Sequence, residues 1–272
     1  MTNFDRIKGY YSVFDEQNRL ARDNSGKLEF EMTMLILKKY LPEKGTVLDL
    51  GGGAGVYAFE LAQKGYQVWL ADLSERLIEQ ASERRSVEQT ENLIATDVVN
   101  AIDLSNYQDN MFDIVLALGP FYHLTEEIER QKCASEIKRV LKDGGIVIAG
   151  FIPYLSGSIA IVDRYFFRPE HVDASNLAYV FETGKFHNLA HTGFQEGYYA
   201  TATEMKKLFE SNHFETNCIR SVRGFGYEKE DMIYQVKDAA VFAEIMKAID
   251  KTAEEPAIVE MCGHALYIGR KR

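Results

Sequence analysis

The stretch VLDLGGGAG (Val47–Gly55) joins a short apolar run to a glycine turn and offers the first chemistry in the chain. Gly51, Gly52, Gly53 and Gly55 leave the backbone bare, so its amides can approach a ligand and adopt positive φ without steric cost. Placed at the carboxyl end of a first strand and the start of a helix, such a turn suits a nucleotide in an α/β sheet. Asp49 stands two residues before the first glycine, and Asp72, 23 residues after Asp49, closes a second apolar run. A carboxylate there can accept both hydroxyls of a ribose. Asp97 ends a third run, where an adenine amino group can be received. NAD-binding turns share this logic through GxGxxG. Gly51 and Gly53 match its first two glycines, but position 56 is Val56, so a dinucleotide fits the spacing less well.

Residues suited to an acceptor lie further along. His123, in LGPFYHL after a fourth apolar run, is the best single candidate for a general base; capping of the next helix is its alternative role. His187 and His191, four residues apart, are the other candidates and could share a helix face; as a metal pair they lack a third ligand, and no metal is expected. Tyr10, Tyr11 and Phe14 precede the first long helix, where Tyr11 could meet donor or acceptor or simply pack. Tyr198 invites the same choice, and Arg164 suits an acidic substrate or a surface carboxylate.

These residues need a frame. Ser25–Tyr40 places Leu28, Met32, Leu35 and Ile36 on one helical face ahead of Pro42. Thr46–Leu50, Tyr66–Leu73, Asn92–Val98, Met111–Gly119 and Ile146–Ile152 read as strands. Between them, one helix stops at Gly65, another starts at Ser74, and Glu126–Leu141 carries Ile128, Cys133, Ile137 and Val140 on one side. This alternation predicts a parallel sheet covered on both faces. From 151 to 199 it breaks: 11 of 49 residues are aromatic, against 12% of the chain, and three of the six histidines (His171, His187, His191) fall here. A loop that long inside a compact domain acts as a lid or binding element, so an inserted cap is expected. A helix over Thr201–Phe214 and a strand in HALYIGRKR then resume the fold. The expected organisation is a helical lid (1–41), a ligand-binding core (42–152), a cap over the acceptor pocket (153–200) and the returning part of the core (201–272).

VLDLGGGAG, ADLSERLIEQA, FDIVLALGPFYHL and EIKRVLKDGG, in that order, resemble the class I S-adenosylmethionine-dependent methyltransferases. The resemblance is strong over Val47–Ile152 and weaker over the final helix and strand. It implies an α/β, Rossmann-like, mostly parallel seven-stranded sheet that is doubly wound. It also implies methyl transfer from S-adenosylmethionine, leaving S-adenosylhomocysteine, by in-line displacement onto oxygen, nitrogen or carbon. In that family's terms Gly51, Gly52, Gly53 and Gly55 would pass close to the methionine part and ribose. Asp49 would orient the loop or the cofactor's ammonium, and Asp72 would hold the ribose diol with Leu73 against the adenine. Asp97 and Val98 would meet the adenine, and Leu118 and Gly119 would border the methyl donor. The N-terminal segment would fold over the cofactor. Enzymes that methylate base amines carry an (Asn/Asp)-Pro-Pro-(Tyr/Phe) loop after the fourth strand. Leu118-Gly119-Pro120-Phe121-Tyr122 lacks the acidic or amide residue and one proline, which argues against that chemistry.

Composition narrows the partners. With 272 residues, 46% of them hydrophobic and 26% charged, the chain can bury a full core. A net charge of −10, with basic runs only at Arg84–Arg85 and Arg270–Lys271–Arg272, disfavours a phosphate backbone as partner. A small-molecule acceptor therefore leads; protein or RNA comes second, and a cofactor-binding protein without catalysis third. Cys133, Cys218 and Cys262 lie far apart, as reduced cytoplasmic thiols do. The first residues hold no apolar signal core, and no run approaches the roughly 18 apolar residues of a membrane span. The expectation is a cytoplasmic monomer or homodimer without a membrane partner.

Overall fold

Helices α1 (Phe4–Tyr11) and α2 (Asn24–Tyr40) come first in the computed structural model, which describes residues 1–272. The central run is β1 (Thr46–Leu50), α3 (Val56–Gln63), β2 (Gln67–Asp72), α4 (Glu75–Glu88), β3 (Leu93–Val98), β4 (Phe112–Ala117), α5 (Glu127–Val140) and β5 (Leu141–Pro153). Next are α6 (Tyr154–Phe167), α7 (Ala174–Thr183), β6 (Lys185–His187) and β7 (Glu196–Ala200). The chain closes with α8 (Ala202–Ser211), β8 (Phe214–Ser221), α9 (Glu230–Tyr234), α10 (Ala239–Thr252), α11 (Pro256–Glu260) and β9 (Ala265–Lys271). No helix is long and apolar enough to cross a membrane.

Five parallel strands run in the order β3-β2-β1-β4-β5. Beyond β5 the sheet forks. Ile146–Phe151 of β5 pair antiparallel with β9, which pairs antiparallel with β8. The tip of the same strand, Ile152 and Pro153, pairs parallel with β7, against which β6 folds back. The mostly parallel seven-stranded body expected from the sequence is therefore present, and β6 and β7 extend it to nine strands. Alternate residues of each central strand enter opposite cores, as a two-sided sheet requires. Leu48, Val115 and Val147 pack with α5 and α8, while Val47, Ile114 and Ile146 pack with α2 and α3.

Several expectations need correction. Leu35 is 44% exposed, and Leu37 takes its place in the buried stripe of α2 with Leu28, Met32 and Ile36. Ile128 is 74% exposed, because the buried face of α5 runs through Cys133, Ala134, Ile137 and Val140. The stretch after Ile152 is no structureless loop: two helices and a hairpin fill it, and β7 is buried at all five positions. Strand β8 has no counterpart among the expected elements, because its sequence lacks a contiguous apolar run.

The close packing of α6 on β7 is testable. A Cβ on Gly157 would stand 2.3 Å from Cγ of buried Tyr199. Gly157→Ala should therefore cost about 1–3 kcal/mol through overpacking, read as a lower urea midpoint. A midpoint unchanged from wild type would contradict this packing.

Candidate active site

The glycine turn is bonded to the neighbouring strand before any ligand is considered. The amides of Gly51 and Gly52 donate to the Ala71 carbonyl at 2.7 and 3.3 Å, and the Gly53 amide donates to Asp72 Oδ2 at 2.9 Å. Two glycines are sterically required. Gly51 has φ +71°, and a Cβ on it would meet Pro120 at 2.8 Å; one on Gly52 would meet Asp49 Oδ2 at 2.5 Å. The tips of β1, β2 and β4, the glycine turn and the N-terminal segment line one cavity.

Its electrostatics are acidic. Asp49 is fully buried, and neither carboxylate oxygen has a hydrogen-bond partner. Burial, and secondarily the charge of Asp72, pushes its pKa up to about 7. Asp72 is raised to about 6 by burial, against the opposing pull of the Ser74 and Gly53 amides on its oxygens. Glu16 adds a third carboxylate, and Arg19 is the one Lys or Arg side chain in the wall. Arg19 Nε donates to Glu16 Oε1 and Nη1 to Glu29 Oε1, both at 2.9 Å. Burial opposes the charge of Arg19, but Glu29 and Glu16 keep it firmly protonated. Glu29 in turn meets His264 Nδ1 at 3.1 Å.

Helix α1 closes the cavity with Phe4, Ile7 and Tyr11. Arg76, at the start of α4, donates to the Tyr11 and Phe14 carbonyls, and Arg6 reaches outward to the Asn188 carbonyl and Gln195 Oε1. Inside, the Tyr11 hydroxyl lies 2.9 Å from His123 Nε2, and His123 Nδ1 lies 3.2 Å from the Glu196 carbonyl. A carbonyl only accepts, so Nδ1 carries the proton and donates to it, and Nε2 accepts from the Tyr11 hydroxyl. Burial lowers the pKa of His123 to about 4, and burial raises that of Tyr11 well above the ordinary phenol value. At neutral pH the pair is a phenol donating to a neutral imidazole.

The structure brings many of the predicted site residues together. Asp49, Gly51, Gly52, Gly53, Asp72, Leu73, Leu118, Gly119, Tyr11 and His123 all line the cavity, and Gly55 caps α3 beside it. Asp72, rather than Asp49, holds the glycine loop. Asp97 and Val98 do not reach the wall: Asp97 accepts from the Tyr107 hydroxyl at 2.9 Å, Val98 is 45% exposed, and Val99, Asn100 and Ala101 line the cavity in their place. His187 ends β6 and His191 lies exposed in the following loop, so they share no helix face; His187 Nδ1 faces Glu196 at 3.3 Å. Arg164 packs over Phe186 at 5.0 Å, away from the cavity. Tyr10 stacks on Phe14, and Tyr198 lies under Arg130 with its hydroxyl on Glu204. Sequence reasoning missed Glu16, Arg19, Tyr122 and Asn100. The charges of FDEQNR, between an aromatic segment and a helix, were the available signal for the first two.

Comparison with known proteins agrees with this fold. A family model described as a methyltransferase domain matches residues 48–149. A glycine/sarcosine N-methyltransferase of Parasynechococcus marenigrum is 30% identical over 201 residues, 68% of this chain and 70% of that protein. The chain spans between 39% and 66% of other curated relatives, among them a tRNA 5-carboxymethoxyuridine methyltransferase of Escherichia coli, of which it covers 42%. Among solved structures, the PH0226 protein of Pyrococcus horikoshii superposes with a TM-score of 0.62 at 20% identity, covering 97% of this chain and 98% of that one. A Burkholderia thailandensis 1,6-didemethyltoxoflavin-N1-methyltransferase with bound S-adenosylhomocysteine gives 0.59 at 15%, covering 98% and 85%. The chain belongs to the class I S-adenosylmethionine-dependent methyltransferases. The site fits that cofactor, because the unpartnered, buried Asp49 carboxylate suits a cation.

The raised Asp49 pKa has a sign that can be checked. The folded protein keeps a proton there that the unfolded chain, with an ordinary value of 3.8, has released, so stability falls as pH rises from about 4 to about 7. Asp49→Asn, neutral throughout, should lose less stability than wild type in urea titrations across this range. Parallel curves for the two proteins would contradict the assignment.

Proposed function

We propose that this methyltransferase acts on a small acceptor held between α1, the glycine turn and the loop after β4, and that Tyr11 and His123 manage the acceptor's proton. The observation that supports this is the position of the Tyr11–His123 pair, inside a cavity roofed by α1, with the Glu196 carbonyl holding the far side of the imidazole. A folded protein or an RNA would have to displace α1 to reach it. The net charge of −10, with compact basic runs only at Arg84–Arg85 and Arg270–Lys271–Arg272, disfavours such an RNA.

S-adenosylmethionine, when bound, supplies a methyl group already activated on a sulfonium. In the proposed arrangement Asp49 faces the ammonium of its methionine part, and Arg19, the one Lys or Arg in the wall, holds the carboxylate. Asp72 is poised for the ribose hydroxyls with Leu73 beside the adenine, and Val99 and Asn100 replace Asp97 and Val98 as adenine neighbours. What remains for the protein is alignment and exclusion of water, worth about 7–11 kcal/mol when the reacting atoms are well placed.

The Tyr11–His123 pair suits an acceptor that loses its proton to a neighbour. The acceptor's proton would pass to the Tyr11 oxygen as the Tyr11 proton moves to His123 Nε2, with the Glu196 carbonyl steadying the imidazolium through Nδ1–H. With a pKa near 4, His123 is a weak base. It therefore serves best an amine, whose lone pair attacks first and whose N–H becomes acidic only once methylated. The relative named glycine/sarcosine N-methyltransferase points to the same class.

A panel of small amines, phenols, carboxylic acids and bulk RNA, assayed with labelled methyl donor, should give turnover on small amines and none on RNA. Tyr11→Phe and His123→Ala should each lower kcat by about 10²-fold or more while leaving affinity for S-adenosylhomocysteine intact. Methylation of RNA or protein alone would overturn the acceptor class, and unchanged kcat in both variants would remove the relay.

A further inference from the structure

Helix α6 buries one side against β7 and leaves a narrow apolar stripe on the other. Leu155, Ile159, Val162 and Phe166 are 46%, 41%, 50% and 78% exposed, and spacings of four, three and four residues hold them within one face of the helix. Phe167, beside the stripe, is 76% exposed. Scattered exposed apolar residues need no explanation, but a continuous face three turns long marks a contact surface.

From this face we infer that the protein pairs with a second copy of itself, α6 against α6, around a two-fold axis. A two-fold interface requires a patch complementary to itself, and this stripe reads the same in both directions. With the axis midway between Ile159 and Val162, antiparallel helices place Leu155 of one copy against Phe166 of the other and Ile159 against Val162. The area is modest. An aromatic side chain offers roughly 150–250 Å², so Phe166 and Phe167 alone expose about 300 Å². The three aliphatic residues, each about half exposed, add less than the two rings do, so the face falls short of the roughly 800 Å² per partner of a standard interface and fits the small end of specific pairings. A lipid surface is the poorer occupant, since a net charge of −10 is repelled by anionic headgroups. The pairing braces the cap: Arg164 of the same helix reaches the Phe194 carbonyl, two residues before Glu196, whose carbonyl fixes His123.

Sedimentation velocity on the full chain across micromolar concentrations should give twice the chain mass. Val162→Asp, which places a charge at the centre of the pair without touching the buried face, should return a monomer that binds S-adenosylhomocysteine as before. Mixing Leu155→Cys with Phe166→Cys under mild oxidation should give a disulfide-linked dimer in greater yield than either variant alone. A monomer at all concentrations, a dimer that survives Val162→Asp, or a monomer that sediments with phosphatidylcholine vesicles would each overturn the proposal.

Discussion

Asp49 lies beneath the glycine turn with neither carboxylate oxygen hydrogen-bonded, and much of the site follows from that burial. An isolated ionised carboxylate in such surroundings is too costly to keep, so the group holds a proton near neutrality. The backbone above it can only be glycine, because any side chain at position 52 would fall on the carboxylate itself. Asp72, the other buried acid, is spent partly on the Gly53 and Ser74 amides, which fix the turn to β2. The first strand thus ends in a prepared negative site that is stable only while uncharged or paired with a cation. A cofactor carrying an ammonium and a sulfonium meets that condition.

The second half of the site is assembled by contacts between distant segments. The carbonyl of Glu196 in β7 sets the tautomer of His123, while its carboxylate faces His187 and, at 3.6 Å, Arg6 of α1. Lid, cap and the loop after β4 therefore meet at one residue. Because α1 is also tied by Arg76 to the start of α4, the wall that carries Tyr11 is referenced to the same helix that begins three residues after Asp72. This arrangement places the Tyr11–His123 pair through backbone atoms rather than through flexible side chains.

The cofactor half was legible because its signals are local. Five apolar runs, the glycine turn and the strand-end acids Asp49 and Asp72 each sit in a few contiguous residues whose roles do not depend on remote partners. Asp97 lies off the wall because the chain leaves β3 before the wall is built, and a tyrosine ten residues on takes up its carboxylate. His187 and His191 failed because a hairpin, not a helix, holds the segment. Glu16 and Arg19 earn their places only through Glu29 and the folded-over lid, contacts that no local pattern encodes. Helical stripes were right in kind but slipped by single residues at Leu35 and Ile128, where exposure depends on the angle at which the helix meets the sheet.

The central claim concerns the state of one carboxyl group, and it can be observed directly. Carbon-13 spectroscopy of the Asp49 carboxyl, titrated in the free protein and again saturated with S-adenosylhomocysteine, separates the two possibilities. The account predicts a midpoint near 7 in the free protein that drops when the ligand's ammonium arrives. An ordinary midpoint near 4 in the free protein, or one that the ligand does not move, would contradict it.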